Sequence, residues 1–163
     1  MFCNFIGMKL YFLSLIFALS LKPVCDNTPE LNKQVIDYVN SQMGKKVGRG
    51  ECWDLAAGAL NSTGATWDKA FKYGREINVK KECVYPGDII QFDNVTVEYS
   101  EGKKMFKEQM AQHTAVIYEV KGEGDFKMAD QNTSLHGRKV GISPMNLSHI
   151  TKGKYHIYRP EKK

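Results

Sequence analysis

The stretch GKKVGRGECWDLAAGAL, residues 44–60, is where the fold can first be read. Gly44, Gly48 and Gly50 punctuate a loop, and from Cys52 onward Leu55, Ala56, Ala59 and Leu60 recur at helical spacing. The pattern predicts a short, alanine-rich helix that opens on the cysteine and stops at Asn61-Ser62-Thr63-Gly64. Small residues let such a helix lie close against a sheet. A thiol attacks only as the thiolate, and the unpaired N–H groups and dipole of a helix N-terminus favour that anion. The same N–H groups can receive the oxyanion that forms when a thiolate adds to a carbonyl. Cys52 is therefore the candidate nucleophile. A lone helical cysteine is more often a small core residue, so this reading needs a base and a partner for it elsewhere in the chain.

Upstream, Thr28-Pro29 reads as a helix start, and Leu31, Val35, Val39 and Met43 repeat every fourth residue. An amphipathic helix is expected to run to about Met43, with Gly44 as its cap. Downstream, Trp67, Phe71 and Tyr73 are expected to cover an edge of the core. From Pro86 the pattern changes to strands: DIIQF (88–92), HTAVIYEV (113–120), FKMADQN (126–132) and YHIYR (155–159), with KGEGD (121–125) as a turn. Pro86-Gly87-Asp88 reads as the turn that admits the first of these strands, with Asp88 as its cap. Helices first and a meandering antiparallel sheet afterwards give an α+β class.

The base is His113, which opens an apolar strand after a polar loop and can reach a cleft from a rigid element. Asp130 and Asn132 follow on the next strand, and residues i and i+2 of a strand share a face. Either could fix the imidazole tautomer as the third member of a triad. The residues alone leave the choice between Asp130 and Asn132 open.

Composition sets the bounds. A chain of 163 residues, 42% hydrophobic and 25% charged, accommodates one globular domain. Lys9 precedes the apolar run LYFLSLIFALSL (10–21), shorter than the ~20 residues a spanning helix needs. The reading is a signal peptide over 1–20, a linker over 21–29 and a hydrolase-like domain over 30–163, with no transmembrane span in the mature chain. The expected location is secreted, or periplasmic and cell envelope. Cleavage after Ser20 leaves Cys25, Cys52 and Cys83. If Cys52 stays free, Cys25 and Cys83 form the one remaining internal pair, and lipid attachment at Cys25 is the competing reading. The net charge of +5 comes without an arginine-rich helix or nucleic-acid motif, so no nucleic-acid partner is expected. There is no C-x-x-C and no H-x-x-x-H, and His136, His149 and His156 are scattered, so neither metal nor cofactor is expected.

Four motifs in order, Gly50-Glu51-Cys52-Trp53, Tyr85-Pro86-Gly87-Asp88-Ile89-Ile90-Gln91-Phe92, Gln112-His113-Thr114-Ala115-Val116-Ile117 and Asp130-Gln131-Asn132, resemble those of the papain-like NlpC and CHAP cysteine hydrolases. The chain is similar in particular to the cysteine-proteinase-fold domain at the C-terminus of a fungal actin-patch SH3 protein, down to the closing Tyr158-Arg159-Pro160. The resemblance implies a papain-like fold, with N-terminal helices packed on an antiparallel sheet. It implies Cys52 as nucleophile, His113 as base, and Asn132 or Asp130 as the orienting residue. The CHAP pattern has Glu-x-Asn at the last position, and Asp130 is one methylene shorter. The function expected is cleavage of an amide in a peptide, protein or peptidoglycan substrate by a cysteine peptidase or amidohydrolase. A non-catalytic binding module on the same fold and a thiol acyltransferase are the alternatives.

Overall fold

Val35 and Val39 on one face of helix α1 (Glu30–Gln42) and Leu55, Ala56, Ala59 and Leu60 on helix α2 (Cys52–Thr63) meet in one buried cluster. This is the pairing that their spacing of three and four predicts. The computed structural model describes residues 25–162. The expected signal peptide, 1–20, and the first part of the linker lie outside those residues. Helix α1 ends beside Met43, with Gly44 at φ +72°, and α2 continues through Asn61-Ser62-Thr63 to a left-handed Gly64.

The sheet has six strands: β1 (Arg75–Glu76), β2 (Ile89–Glu101), β3 (Lys104–Gly122), β4 (Asp125–Asp130), β5 (Gly141–Asn146) and β6 (Ile150–Arg159). Their spatial order is β1-β6-β2-β3-β4-β5, and every neighbouring pair is antiparallel. Alternation divides the residues between two faces. Ile89, Val116, Ala129 and Tyr158 pack with the helices, while Ile90, Phe92, Ala115, Ile117, Met128 and Ile157 build a second apolar cluster.

Strands β2 and β3 run much further than the sequence pattern indicates. They form an arm that turns at Gly102 and is held by cross-strand contacts, such as the stacked rings of Tyr99 and Phe106, 5.0 Å apart, and the 2.7 Å Lys107–Glu98 ion pair. Asn94, at φ +50°, interrupts the ladder at the root of this arm. Strand β5 and the two-residue β1 were also not anticipated. Of the three aromatics expected to cover the core, Trp67 and Tyr73 stack at 5.7 Å within it, whereas Phe71 is 44% exposed.

Asp88 is more than a turn cap. Its fully buried carboxylate accepts hydrogen bonds from Asn32 Nδ2 (2.7 Å) in α1, from the Tyr85 N–H (2.9 Å) and from Arg159 Nε and Nη2 (3.0 and 2.8 Å) at the end of β6. Gly87 beside it has φ +88°, and a Cβ there would run into the Asn32 carbonyl. The expected Cys25–Cys83 disulfide is present, with Cα atoms 5.6 Å apart, and Cys52 is the free thiol among the described residues.

Removing one partner of a buried ion pair strands the other, so Asp88→Ala is expected to cost about 3–5 kcal/mol, read by chemical denaturation. A variant as stable as the parent would show that the pair contributes nothing. Reducing the Cys25–Cys83 bridge is expected to cost about 2–4 kcal/mol, read as a lower melting temperature in dithiothreitol.

Candidate active site

The loop before α2 is built to present its first residue. Asp54, in the first turn of the helix, accepts the backbone N–H groups of Arg49 (2.8 Å) and Glu51 (3.0 Å) through one carboxylate oxygen. The loop wraps this carboxylate so closely that a Cβ on Gly48, at φ +56°, would lie 2.8 Å from it. Cys52 follows at the helix start and is half-buried.

His113 reaches the thiol from β3. It is buried, sits opposite Phe92 in the β2–β3 ladder, and has its ring 6.3 Å from that of Phe92. Its neighbour Thr114 is locked from the other face. Thr114 Oγ1 donates to Gln91 Oε1 at 2.6 Å and accepts from the Tyr73 hydroxyl at 3.0 Å. Burial raises the Tyr73 phenol to about 12, so this hydroxyl keeps its proton.

His113 Nε2 donates to Asp130 Oδ2 at 3.0 Å, which leaves Nδ1 to face Cys52. Asp130 is buried at the end of β4, and its second oxygen accepts the Ser143 hydroxyl of β5 at 2.8 Å. Burial disfavours the Cys52 thiolate, but the His113 hydrogen bond, the Thr114 N–H, the His113 charge and the Trp53 N–H together outweigh it and hold the thiol below its usual range. Burial likewise opposes the imidazolium, yet the hydrogen bonds and charges of Asp130 and Cys52 raise His113 to about 9. At neutral pH both shifts favour a thiolate–imidazolium pair.

Cys52, His113 and Asp130 thus come together, and Asn132 does not join them. Strand β4 ends at Asp130 and Asn132 has φ +62°, so the alternation that would put both residues on one face does not extend that far. Asn132 Nδ2 instead donates to Glu51 Oε2 at 3.1 Å. Ser143 stands on β5, a strand that the sequence pattern does not indicate. Gln131, part of the Asp130-Gln131-Asn132 motif but given no role there, is fully buried and bonded to the loop before Cys52. The available signal is its place in that motif, between two polar residues.

An open groove of about 530 Å³ runs from His113, Asp130 and Asn132 along the β2–β3 arm, with Tyr99, Met110 and Met145 among its walls. Among the described residues no three His, Cys, Asp or Glu side chains are grouped so as to hold a metal ion.

Among solved structures, the chain is similar to the crystal structure of Ly7917, at 18% identity over 78% of this chain and 62% of that one, with a TM-score of 0.45. It is also similar to the crystal structure of Ly7917 with the hydrolyzing product of MDP, at 18% identity over 79% of this chain and 63% of that one, with a TM-score of 0.47. It therefore spans less than two thirds of the length of these chains. No curated protein matches it. Residues 28–163 match the family model of the AIM3/BBC1 cysteine proteinase-fold domain, a span that takes in both helices and all six strands. On that match the chain belongs to the AIM3/BBC1 cysteine proteinase-fold domain family.

Proposed function

We propose that the chain is an exported cysteine hydrolase that cleaves an amide bond in a peptide or protein, cell-wall peptides included. Cys52 is the nucleophile, His113 the acid and base, and Asp130 the residue that holds the imidazole. The observation that carries this reading is the convergence of a helix-start thiol, its lowered pKa, and a histidine bonded to a buried carboxylate. The apolar leader pattern over 10–21 and the Cys25–Cys83 bridge support export to an oxidising compartment.

In the first half-reaction the Cys52 thiolate adds to the carbonyl carbon while N–H groups of the first turn of α2 receive the oxyanion. The tetrahedral adduct collapses, the C–N bond breaks, and His113 gives its proton to the departing nitrogen. Water then loses a proton to His113 and attacks the thioester, releasing the acid and restoring the thiolate and imidazolium. Because the departing amine takes its proton from His113, that side of the substrate lies toward the groove along the arm.

Cys52→Ser and His113→Ala should each lower turnover of a peptide amide by a factor on the order of 10³ or more, and the double variant should fall little further. Peptidoglycan fragments and peptides are the substrates to screen, with circular dichroism as the fold control. Turnover by Cys52→Ser at the parent rate removes the enzyme reading.

The pH dependence follows from the two shifts. Alkylation of Cys52 by iodoacetamide should stay fast well below the ~8.5 of an ordinary thiol, and His113→Ala should move its midpoint up toward that value. Turnover should fall on the acid side as the thiolate is protonated, and on the alkaline side near pH 9 as His113 loses the proton it must donate.

Asp130→Ala should lower turnover by about 10²-fold or more, less than loss of the nucleophile, because it releases the imidazole. Asn132→Ala, which touches Glu51 and not His113, should have a much smaller effect. Equal losses in the two variants would contradict the assignment of Asp130.

A further inference from the structure

Gln131 lies one residue beyond β4, has no exposed surface, and spends its whole amide on the loop that precedes the nucleophile. Its Oε1 accepts the Val47 N–H at 3.1 Å, and its Nε2 donates to the Val47 carbonyl at 3.0 Å and to the Glu51 carbonyl at 2.8 Å. The Glu51 carbonyl also accepts the Asp54 N–H at 3.1 Å, so two donors fix its direction. That carbonyl and the N–H of Cys52 belong to one planar trans peptide and point opposite ways. Holding the first therefore aims the second, which is one of the first-turn N–H groups that the helix itself leaves unpaired.

We propose that Gln131 is a positioning residue: by gripping the Glu51 carbonyl it fixes the peptide plane that directs the Cys52 N–H at the oxyanion. The proposal rests on the reading of Cys52 as a nucleophile toward carbonyl groups. It distinguishes Gln131 from its neighbours on both sides. Asp130 turns the opposite way, to His113, and Asn132 reaches the Glu51 side chain and leaves the peptide plane alone. One strand end thus serves the base with one residue and the nucleophile's backbone with the next.

Two chemical probes separate this role from simple support of the loop. Iodoacetamide alkylates the thiolate by displacing iodide and forms no oxyanion. With p-nitrophenyl acetate the thiolate adds to the acetyl carbonyl, an oxyanion forms, and p-nitrophenolate leaves. The quantity to measure is the ratio of the Cys52 acylation rate to its alkylation rate in the full chain. In Gln131→Met and Gln131→Glu, both close to glutamine in size, the ratio should fall about 10-fold or more while the alkylation rate and its pH profile stay at the parent level. Protonation at lower pH gives the glutamate an O–H donor, so the ratio in Gln131→Glu should partly recover as pH falls, whereas that in Gln131→Met should not.

An unchanged ratio in both variants overturns the proposal. So does a parallel loss of alkylation and acylation, the signature of a collapsed loop or an unfolded chain. A parent protein whose Cys52 reacts with iodoacetamide no faster than an ordinary thiol would overturn the hydrolase reading itself, and this inference with it.

Discussion

The buried carboxylate of Asp88 is the constraint on which the rest of the arrangement depends. A charge without solvent has to be matched by donors, and here they come from α1, from the turn before β2 and from the last residue of β6. Strand β2 lies between β6 and β3, so the fixed entry into β2 sets the register on both sides. One consequence of that register is the pairing of Phe92 with His113. The imidazole's position is thus decided several contacts away from the thiol it faces.

The end of β4 does a comparable job at closer range. Asp130, the last residue of β4, turns to His113, and Gln131, one position on, turns to the loop before Cys52, so consecutive residues hold the two halves of the site. Ser143 occupies the free oxygen of Asp130, and the Tyr73–Thr114–Gln91 hydroxyl and amide chain secures the strand beside His113. Asp130, Thr114 and the loop before Cys52 are therefore each held by polar partners, the preorganisation that the proposed chemistry calls for.

What could be read in the sequence was what depends on near neighbours. The helix that opens on Cys52, the apolar half of the strand that carries His113 and the two-faced pattern of the sheet all follow from local periodicity, although that strand begins at Lys104 and not at His113. Asp88 looked like a turn cap because Asn32 and Arg159, the residues that make it an anchor, lie 56 and 71 positions away. Gln131 was silent for the same reason, its partners being 80 and 84 positions distant. The pattern leaves Asp130 and Asn132 as equal candidates beside the histidine if β4 continues; the strand ends at Asp130 and Asn132 is left-handed, which breaks the alternation. The β2–β3 arm escaped notice because cross-strand pairs hold much of it together, without the burial that marks a core strand.

The irregularity at Asn94 removes one rung of the β2–β3 ladder at the root of that arm. On the core side of it, ladder pairs up to Asp93 with Gln112 keep Phe92 opposite His113; beyond it, the pairing resumes from Val95 with Met110 and runs out to the Gly102 turn. The register is the same on both sides, and just beyond the break Thr96 and Val97 still pair with Lys152 and Ile150 of β6. The arm walls the groove that leads away from His113. On the proposed reading the arm is what a substrate meets beyond His113, while Cys52, His113 and Asp130 stand on the helix and the core side of the sheet.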